Sequence, residues 1–215
     1  MITEFCKTNS ILNTFLSELR DVEIQNDSMR FRRNLERMGE IMAYEISKTL
    51  DYQSETITTP LEETNVSVMK EELVIATILR AGLPLHTGVL NYFDKAENCF
   101  ISAYRKHSDQ GDFEVEIEYL SSPSIEGKTL ILCDPMLATG SSMVLAYKAA
   151  LEKGKPSKVH VIASVASQAG MDFCIDNLPD SVDYWIGAID SKLNSKSYIV
   201  PGLGDAGDLA YGTKT

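Results

Sequence analysis

The sequence is poor in the residues that disulfide scaffolds, zinc modules and nucleic-acid binders depend on. Its four cysteines, Cys6, Cys99, Cys133 and Cys174, lie far apart in 215 residues, with no C-x-x-C pair and no histidine at metal-ligand spacing. That pattern excludes a disulfide framework and a structural zinc site, and leaves reduced structural thiols. Cys133 directly precedes Asp134, yet a strand cysteine is ordinarily a small core residue and receives no catalytic role. Positive charge is in deficit, 20 Lys and Arg against 31 Asp and Glu, for a net charge of -11. General nucleic-acid binding, which needs a basic stripe, is therefore disfavoured, and local binding of small anions remains. No apolar run approaches the roughly 18 residues of a membrane span. The opening M-I-T-E-F-C-K lacks the basic region and apolar run of a secretory signal, so a cytoplasmic chain is expected. Internal repeats and long linkers are also missing.

What is present is organised around Thr129 to Ser142, T-L-I-L-C-D-P-M-L-A-T-G-S-S. Leu130 to Cys133 is a continuous apolar run, the pattern of a strand covered on both faces in a parallel sheet. Asp134 interrupts it. A carboxylate at the carboxyl end of such a strand stands where open α/β sheets bind ligands. Ala138, Thr139, Gly140, Ser141 and Ser142 are small, so their backbone N–H groups can approach an anion. Apolar spacing over Met143, Ala146, Tyr147, Ala150 and Leu151 predicts a helix from Ser142 to Glu152, whose N-terminus favours a phosphate. On pattern alone an ordinary Asx turn capping a helix accounts for the stretch about as well.

Leu73 to Leu79 is a second buried strand, closed by Arg80-Ala81-Gly82. Arg80 carries a planar fork suited to phosphate oxygens, although an arginine at a strand end is more often a surface ion pair. Further strands are expected at Asn98–Tyr104, Val159–Val165 and Tyr184–Ile189. From Gly111 to Leu120, Phe113, Val115, Ile117 and Tyr119 alternate with glutamates. This reads as one strand of an antiparallel arm whose turn lies near Arg105 to Gln110. Five strands with helical crossovers indicate an α/β fold. The expectation is a doubly wound, mainly parallel five-stranded sheet with flanking helices, the β arm and a small C-terminal hood.

Two helices precede the sheet. Residues 9–20 place Leu12, Phe15, Leu16 and Leu19 on one face, as packing material. From Asp27 or Ser28, Phe31, Leu35, Met38, Met42, Ile46 and Leu50 step by three or four. The other face, with Arg30, Arg32, Arg33 and Arg37, reads first as a solvated charged face, and second as an effector-phosphate or subunit-contact site. His86 reads as structural, and residues 51–72 as a peripheral strand or loop. The expected organisation is one domain over 1–215: N-terminal helices to residue 50, core 70–190, arm about 105–122, hood 191–215.

The tail, Y-I-V-P-G-L-G-D-A-G-D-L-A-Y-G-T-K, is glycine-rich, and such termini are usually mobile. Ile199, Val200, Leu203, Leu209 and Tyr211 nevertheless supply apolar anchors, and the glycines permit tight turns around a small flat ligand.

D-P-M-L-A-T-G-S-S closely resembles the phosphoribosyl-diphosphate (PRPP) motif of the type I phosphoribosyltransferases, in the form used by the uracil phosphoribosyltransferase family. Pro135 replaces the second acid common in other branches. Ser141 departs from the glycine common in this branch and adds a hydroxyl donor. L-R-A-G-L resembles the family's pyrophosphate loop, the tail resembles its uracil-binding segment, and Asp190 and Asn194 also fit the pattern. The resemblance implies PRPP contacts by Arg80, Arg105, Asp134, Pro135, Met136, Leu137, Ala138, Thr139, Gly140, Ser141, Ser142 and Asp205. It implies uracil contacts by Ile199, Gly204, Asp205 and Ala206, and catalytic roles for Asp134, Arg105 and Asp205. It also implies Mg²⁺ carried by the pyrophosphate and water rather than by a protein cage. The implied partners are uracil, PRPP and further copies of the chain in a homodimer or larger homo-oligomer, with GTP as a candidate effector and neither nucleic acid nor membrane. Three rivals stand beside this: an RNA-binding pyrimidine regulator on the same fold, a transferase for another base such as a purine, and a non-catalytic nucleotide-binding protein.

Overall fold

The computed structural model describes residues 1–107 and 113–213, with backbone alone over 103–107 and 113–116. In chain order the elements are β1 (Ile2–Glu4), α1 (Ile11–Arg20), α2 (Ser28–Ser47), β2 (Tyr52–Thr58), β3 (Glu63–Met69), β4 (Leu73–Leu79), α3 (Leu83–Tyr92), β5 (Glu97–His107) and β6 (Phe113–Ser121). They continue with β7 (Thr129–Cys133), β8 (Met136–Leu137), α4 (Ser141–Ala150), β9 (Lys158–Ser167), α5 (Gln168–Asn177), β10 (Asp183–Asp190), β11 (Lys192–Leu193), β12 (Ile199–Val200) and α6 (Ala206–Tyr211).

The main sheet runs β1-β10-β9-β7-β4-β5-β6, with the short β8 beside β9. Every pairing along it is parallel except β5 with β6. The five expected strands form its interior, and the sheet has eight strands rather than five. The addition of β1 was not legible, because three residues are too short to show a period. Among the five interior strands the order in space is second, first, third, fourth, fifth, so the winding direction reverses between β4 and β7. A crevice must open above their carboxyl ends, where the connecting chains leave in opposite directions.

Alternate side chains of each strand feed two separate cores. Leu73, Ile75, Ile131, Cys133, Ile162 and Trp185 pack with α1, α2 and α3 on one face. Val74, Ala76, Leu130, Leu132, Val161 and Ile186 pack with α4 and α5 on the other. This two-sided burial is why the strands read as continuous apolar runs. Helix α2 starts where the sequence placed it, with Asp27 accepting hydrogen bonds from the Met29 and Arg30 amides at 3.0 and 3.1 Å. It crosses α3 at a glycine contact: a Cβ on Gly88 would collide with the Glu36 carbonyl oxygen, and one on Gly39 with that of Leu85.

Residues 51–72 form an antiparallel hairpin, β2 on β3, as a two-stranded sheet of its own. The β5–β6 pair supplies the expected arm, with a register shift at Ser102/Ala103, while its turn lies outside the described residues. His86 is buried 5.5 Å from the Phe100 ring, and burial depresses its pKa, as suits a structural histidine. The arginine face of α2 is solvated as expected at Arg30 and Arg33, which make surface ion pairs, while Arg37 and Arg32 are drawn onto neighbouring segments. Arg30 binds Glu18, Arg33 binds Glu36, Arg37 stacks 5.2 Å over the Phe15 ring, and Arg32 donates to the Ala210 carbonyl at 2.6 Å. These forks are engaged within the chain, and that of Arg32 reaches the C-terminal segment.

Candidate active site

Asp134 follows β7 and faces the crevice. Its carboxyl is enclosed by protein on most sides with a partial opening to solvent, and burial raises its pKa to about 7. The Met136 amide donates to its Oδ1 at 3.3 Å, the counteracting interaction. The carboxyl therefore titrates near neutrality in the unliganded chain, where added positive charge would favour its ionised form. Pro135, Met136 and Leu137 bend the chain back onto β9 through β8.

Ala138, Thr139 and Gly140 lead into α4. Gly140 is the N-cap with φ +78° and has no side chain to cap the helix; the Ser141 amide donates to Thr139 Oγ1 at 3.4 Å, a long bond that an anion can displace, and the next amides of the first turn point toward the same side. Thr139 Oγ1 and Ser141 Oγ lie 3.1 Å apart, adding hydroxyls beside those amides. Helix α4 begins at Ser141, one residue earlier than expected, and Ser142 falls in its first turn.

A brace beneath this loop escaped the sequence reading. Ser167 Oγ donates to the Ala138 carbonyl at 2.5 Å and accepts from the Gly170 amide at 2.8 Å. A Cβ at Gly170 would overlap the Leu137 and Ala138 carbonyls, so glycine is what lets α5 approach. Cys174 lies with Sγ 3.7 Å from the Gly140 carbonyl, its pKa pushed up to about 12 by burial and then by Asp134. Burial pushes the Cys133 thiol well up too, so both remain neutral packing groups. A serine N-cap after a buried strand was the available signal for the brace.

The loop after β4 meets this turn directly. A Cβ on Gly82 would stand 2.9 Å from the Cys133 carbonyl oxygen. The Leu79–Arg80 peptide is cis. Arg80 Nη2 donates to the Gly212 carbonyl at 3.0 Å and lies 3.4 Å from Asp208 Oδ1, while its buried Nε has no hydrogen-bond partner. Arg105 sits on β5 opposite Val115 of β6, and its side chain lies outside the described residues.

The tail is folded. Ile199, Leu203, Ala206 and Ala210 are buried in the same apolar cluster against which Ala81, Met136 and Ala138 pack. β11 and β12 form a small hairpin whose turn is held by Asn194 Oδ1, accepting from the Lys196 and Tyr198 amides at 2.9 and 3.0 Å. Gly204, with φ +91°, is exposed ahead of Asp205, which caps α6 by accepting from the Asp208 amide at 3.0 Å. A Cβ on Gly207 would lie 3.2 Å from Asp205 Oδ1 and 3.9 Å from Arg80 Nη2. Asp134, the 138–142 loop, Arg80 and the tail residues thus converge around one end of the sheet. A cavity of about 630 Å³ lined by Met69, Leu73, Phe93 and Lys128 lies at the strands' amino ends, away from this convergence.

A single or paired carboxylate is the donor set that Mg²⁺ uses when phosphates and water complete its shell, and Asp134 and Asp205 fit that requirement. Among the described residues no group of three His, Cys, Asp or Glu could form a protein cage. No helix among them is long and apolar enough to cross a membrane.

Comparison with known proteins gives the same answer over nearly the whole length. The family model described as uracil phosphoribosyltransferase matches residues 6–213. A Porphyromonas gingivalis protein named uracil phosphoribosyltransferase is 59% identical over 206 residues, covering 96% of this chain and 95% of that one. A Pyrococcus furiosus protein of the same name is 38% identical over 200 residues, covering 92% and 84%. A solved Aquifex aeolicus protein superposes with a TM-score of 0.88 at 28% identity and full coverage of both chains. On the family model and the Porphyromonas and Pyrococcus relatives, the chain belongs to the uracil phosphoribosyltransferase family.

Proposed function

We propose that the protein transfers ribose 5-phosphate from PRPP to N1 of uracil, giving UMP and pyrophosphate in pyrimidine salvage. The carrying observation is the loop that leads from Asp134 into the N-terminus of α4, whose Met136 and Ala138 pack against the apolar cluster that also buries Ile199, Leu203, Ala206 and Ala210 of the folded tail. The amides and hydroxyls of residues 138–142 would hold the 5-phosphate. Arg80, with Arg105, would hold the pyrophosphate: a charged phosphate oxygen outcompetes the neutral Gly212 carbonyl that Arg80 now meets.

Uracil N1 bonds to the anomeric carbon as the bond to pyrophosphate breaks; the leaving oxygen takes the electron pair, and the N1 proton passes to solvent water or to the departing pyrophosphate. Positive charge develops on the ribose ring, so positioning and charge placement matter more than an attacking side chain. Asp134 would hold the ribose hydroxyls and offset that charge in its ionised form. Asp205, across Gly207 from Arg80, would contact both the base and PRPP. Mg²⁺, when bound with PRPP, supplies positive charge that offsets the leaving pyrophosphate.

Uracil's alternating donors and acceptors suit backbone groups of Ile199, Gly204, Asp205 and Ala206, with no charged side chain needed. The reading extends to a cytoplasmic homo-oligomer with GTP as candidate effector. Exposed Ile57 and Leu61 of the β2–β3 hairpin region offer apolar surface to a second copy.

Radiolabelled uracil with PRPP and Mg²⁺ tests the assignment, with and without GTP. UMP formation is expected, together with no comparable turnover of hypoxanthine or cytosine. Absence of UMP, or a purine nucleotide as main product, would overturn it. The net charge of -11 weighs against the RNA-binding rival, and filter binding to pyrimidine leader RNA is expected to be negative.

A further inference from the structure

The segments expected to meet uracil flank a turn, Pro201 to Leu203, that must fix Ile199 relative to Gly204, Asp205 and Ala206. That turn follows a cis Val200–Pro201 peptide and places Gly202 at φ +60°. Both polar groups of Gly202 are held from outside the tail. Its N–H donates to Asp190 Oδ2 at 2.9 Å, and its carbonyl accepts from Arg20 Nη1 at 3.2 Å. Arg20 and Asp190 are themselves joined as a two-pronged pair, Nη1 to Oδ2 at 2.8 Å and Nη2 to Oδ1 at 3.0 Å. Their side chains are 22% and 10% exposed, so water screens the pair weakly.

Further contacts fix the pair's setting. Glu4 Oε1 accepts from the Ile189 amide at 3.3 Å, next to Asp190. Buried Gln25 donates to the Leu19 carbonyl at 3.0 Å, and its Oε1 would stand 3.8 Å from a Cβ on Gly204. The first 25 residues therefore form a seat under the tail as well as packing for the core.

We infer that Arg20 and Asp190 are positioning residues for the base: they clamp the Gly202 peptide and so set the uracil-facing backbone on both sides of it. The inference rests on the proposed uracil transfer. Neither residue touches the phosphate loop, so their loss should fall mainly on uracil and reach PRPP only through Asp205, which is assigned to both substrates. A planar fork satisfies a carboxylate and a carbonyl together, which one ammonium does less well, so lysine should restore the function only in part.

Steady-state kinetics on wild type, Arg20→Lys, Arg20→Met and the charge-free double variant Arg20→Met/Asp190→Asn test this. PRPP binding in Mg²⁺ is measured by calorimetry on each. A rise of roughly tenfold or more in KM for uracil is expected in Arg20→Met, smaller in Arg20→Lys, with PRPP affinity within about twofold of wild type. The double variant leaves no unpaired charge, so it reports on the clamp where Arg20→Met alone misfolds. Unchanged uracil KM in the double variant overturns the inference, as does an equal loss of PRPP affinity in every folded variant. A wild-type chain that makes no UMP instead overturns the functional reading, before any variant is compared.

Discussion

Replacing Asp134 by Asn should make the protein more stable above neutral pH while slowing it. The Asp134 pKa lies at about 7 in the folded chain against a reference value of 3.8. Below about pH 4 both folded and unfolded states hold the proton, and the group contributes nothing. As pH rises through the interval between the two values, the unfolded chain releases a proton that the folded chain keeps, so stability falls. The cost is fully present above about pH 7. At ~1.4 kcal/mol per pH unit the interval corresponds to about 4 kcal/mol. The carboxyl's opening to the crevice lowers that bound, and about 2 kcal/mol is the working figure.

Asn keeps an oxygen for the Met136 amide and is nearly isosteric, so other titrating groups cancel in the comparison. Urea unfolding of both proteins at pH 4.5, 6, 7 and 8.5, in phosphate-free buffer, measures the difference. The Asn variant should gain about 2 kcal/mol relative to wild type between the lowest and highest pH, while uracil transfer falls roughly a hundredfold. A stability difference flat within about 0.5 kcal/mol across the range would refute the burial argument. Near-normal turnover would remove Asp134 from the chemistry, whatever the stability showed.

Three further perturbations probe other parts of the site and its scaffold. Gly140→Ala puts a Cβ 2.6 Å from the Gly170 carbonyl at a residue with φ +78°, so about 1–3 kcal/mol of stability and roughly tenfold in PRPP affinity should be lost. Calorimetry showing wild-type PRPP affinity would mean that the loop has no role in holding phosphate. Gly88→Ala drives a methyl into the Glu36 carbonyl at the α2–α3 crossing and should cost about 2 kcal/mol or more in urea unfolding. A shift below about 0.5 kcal/mol would show that the helices separate freely. Arg32→Ala removes the bond to Ala210 and the guanidinium 5.8 Å over Tyr211, so amide exchange across 206–213 should quicken roughly tenfold, with α2 unchanged. Equal exchange in both proteins would deny Arg32 its part in holding the tail.

What the sequence made legible was what chain neighbours determine. Leu73–Leu79 and Thr129–Cys133 are covered on both sides, so their apolar runs announced a parallel sheet, and Asp27 announced the start of α2. The loop at 138–142 was readable because small residues between a strand and a helix restrict the possible geometries. What escaped depends on residues that are remote in the chain. Arg20 meets Asp190 across 170 positions and Gly202 across 182, and nothing in the local spacing of α1 distinguishes that arginine from a solvated one.

The same division explains why the tail was ambiguous when read alone. Its glycines allow either a mobile end or a set of tight turns, and its own residues cannot choose between them. The choice is made by Arg20, Arg32 and Arg80, which reach it from α1, α2 and the loop after β4, and by Ile199, Leu203, Ala206 and Ala210 entering the α1–α2 core. Each bond alone contributes on the order of 1 kcal/mol, comparable to the entropy of ordering one residue. Apolar anchoring and several forks must therefore act together. The proposed base site, built on backbone groups, would be specific only while that anchoring holds, so substitutions in α1 and α2 should alter uracil kinetics without touching a residue assigned to uracil.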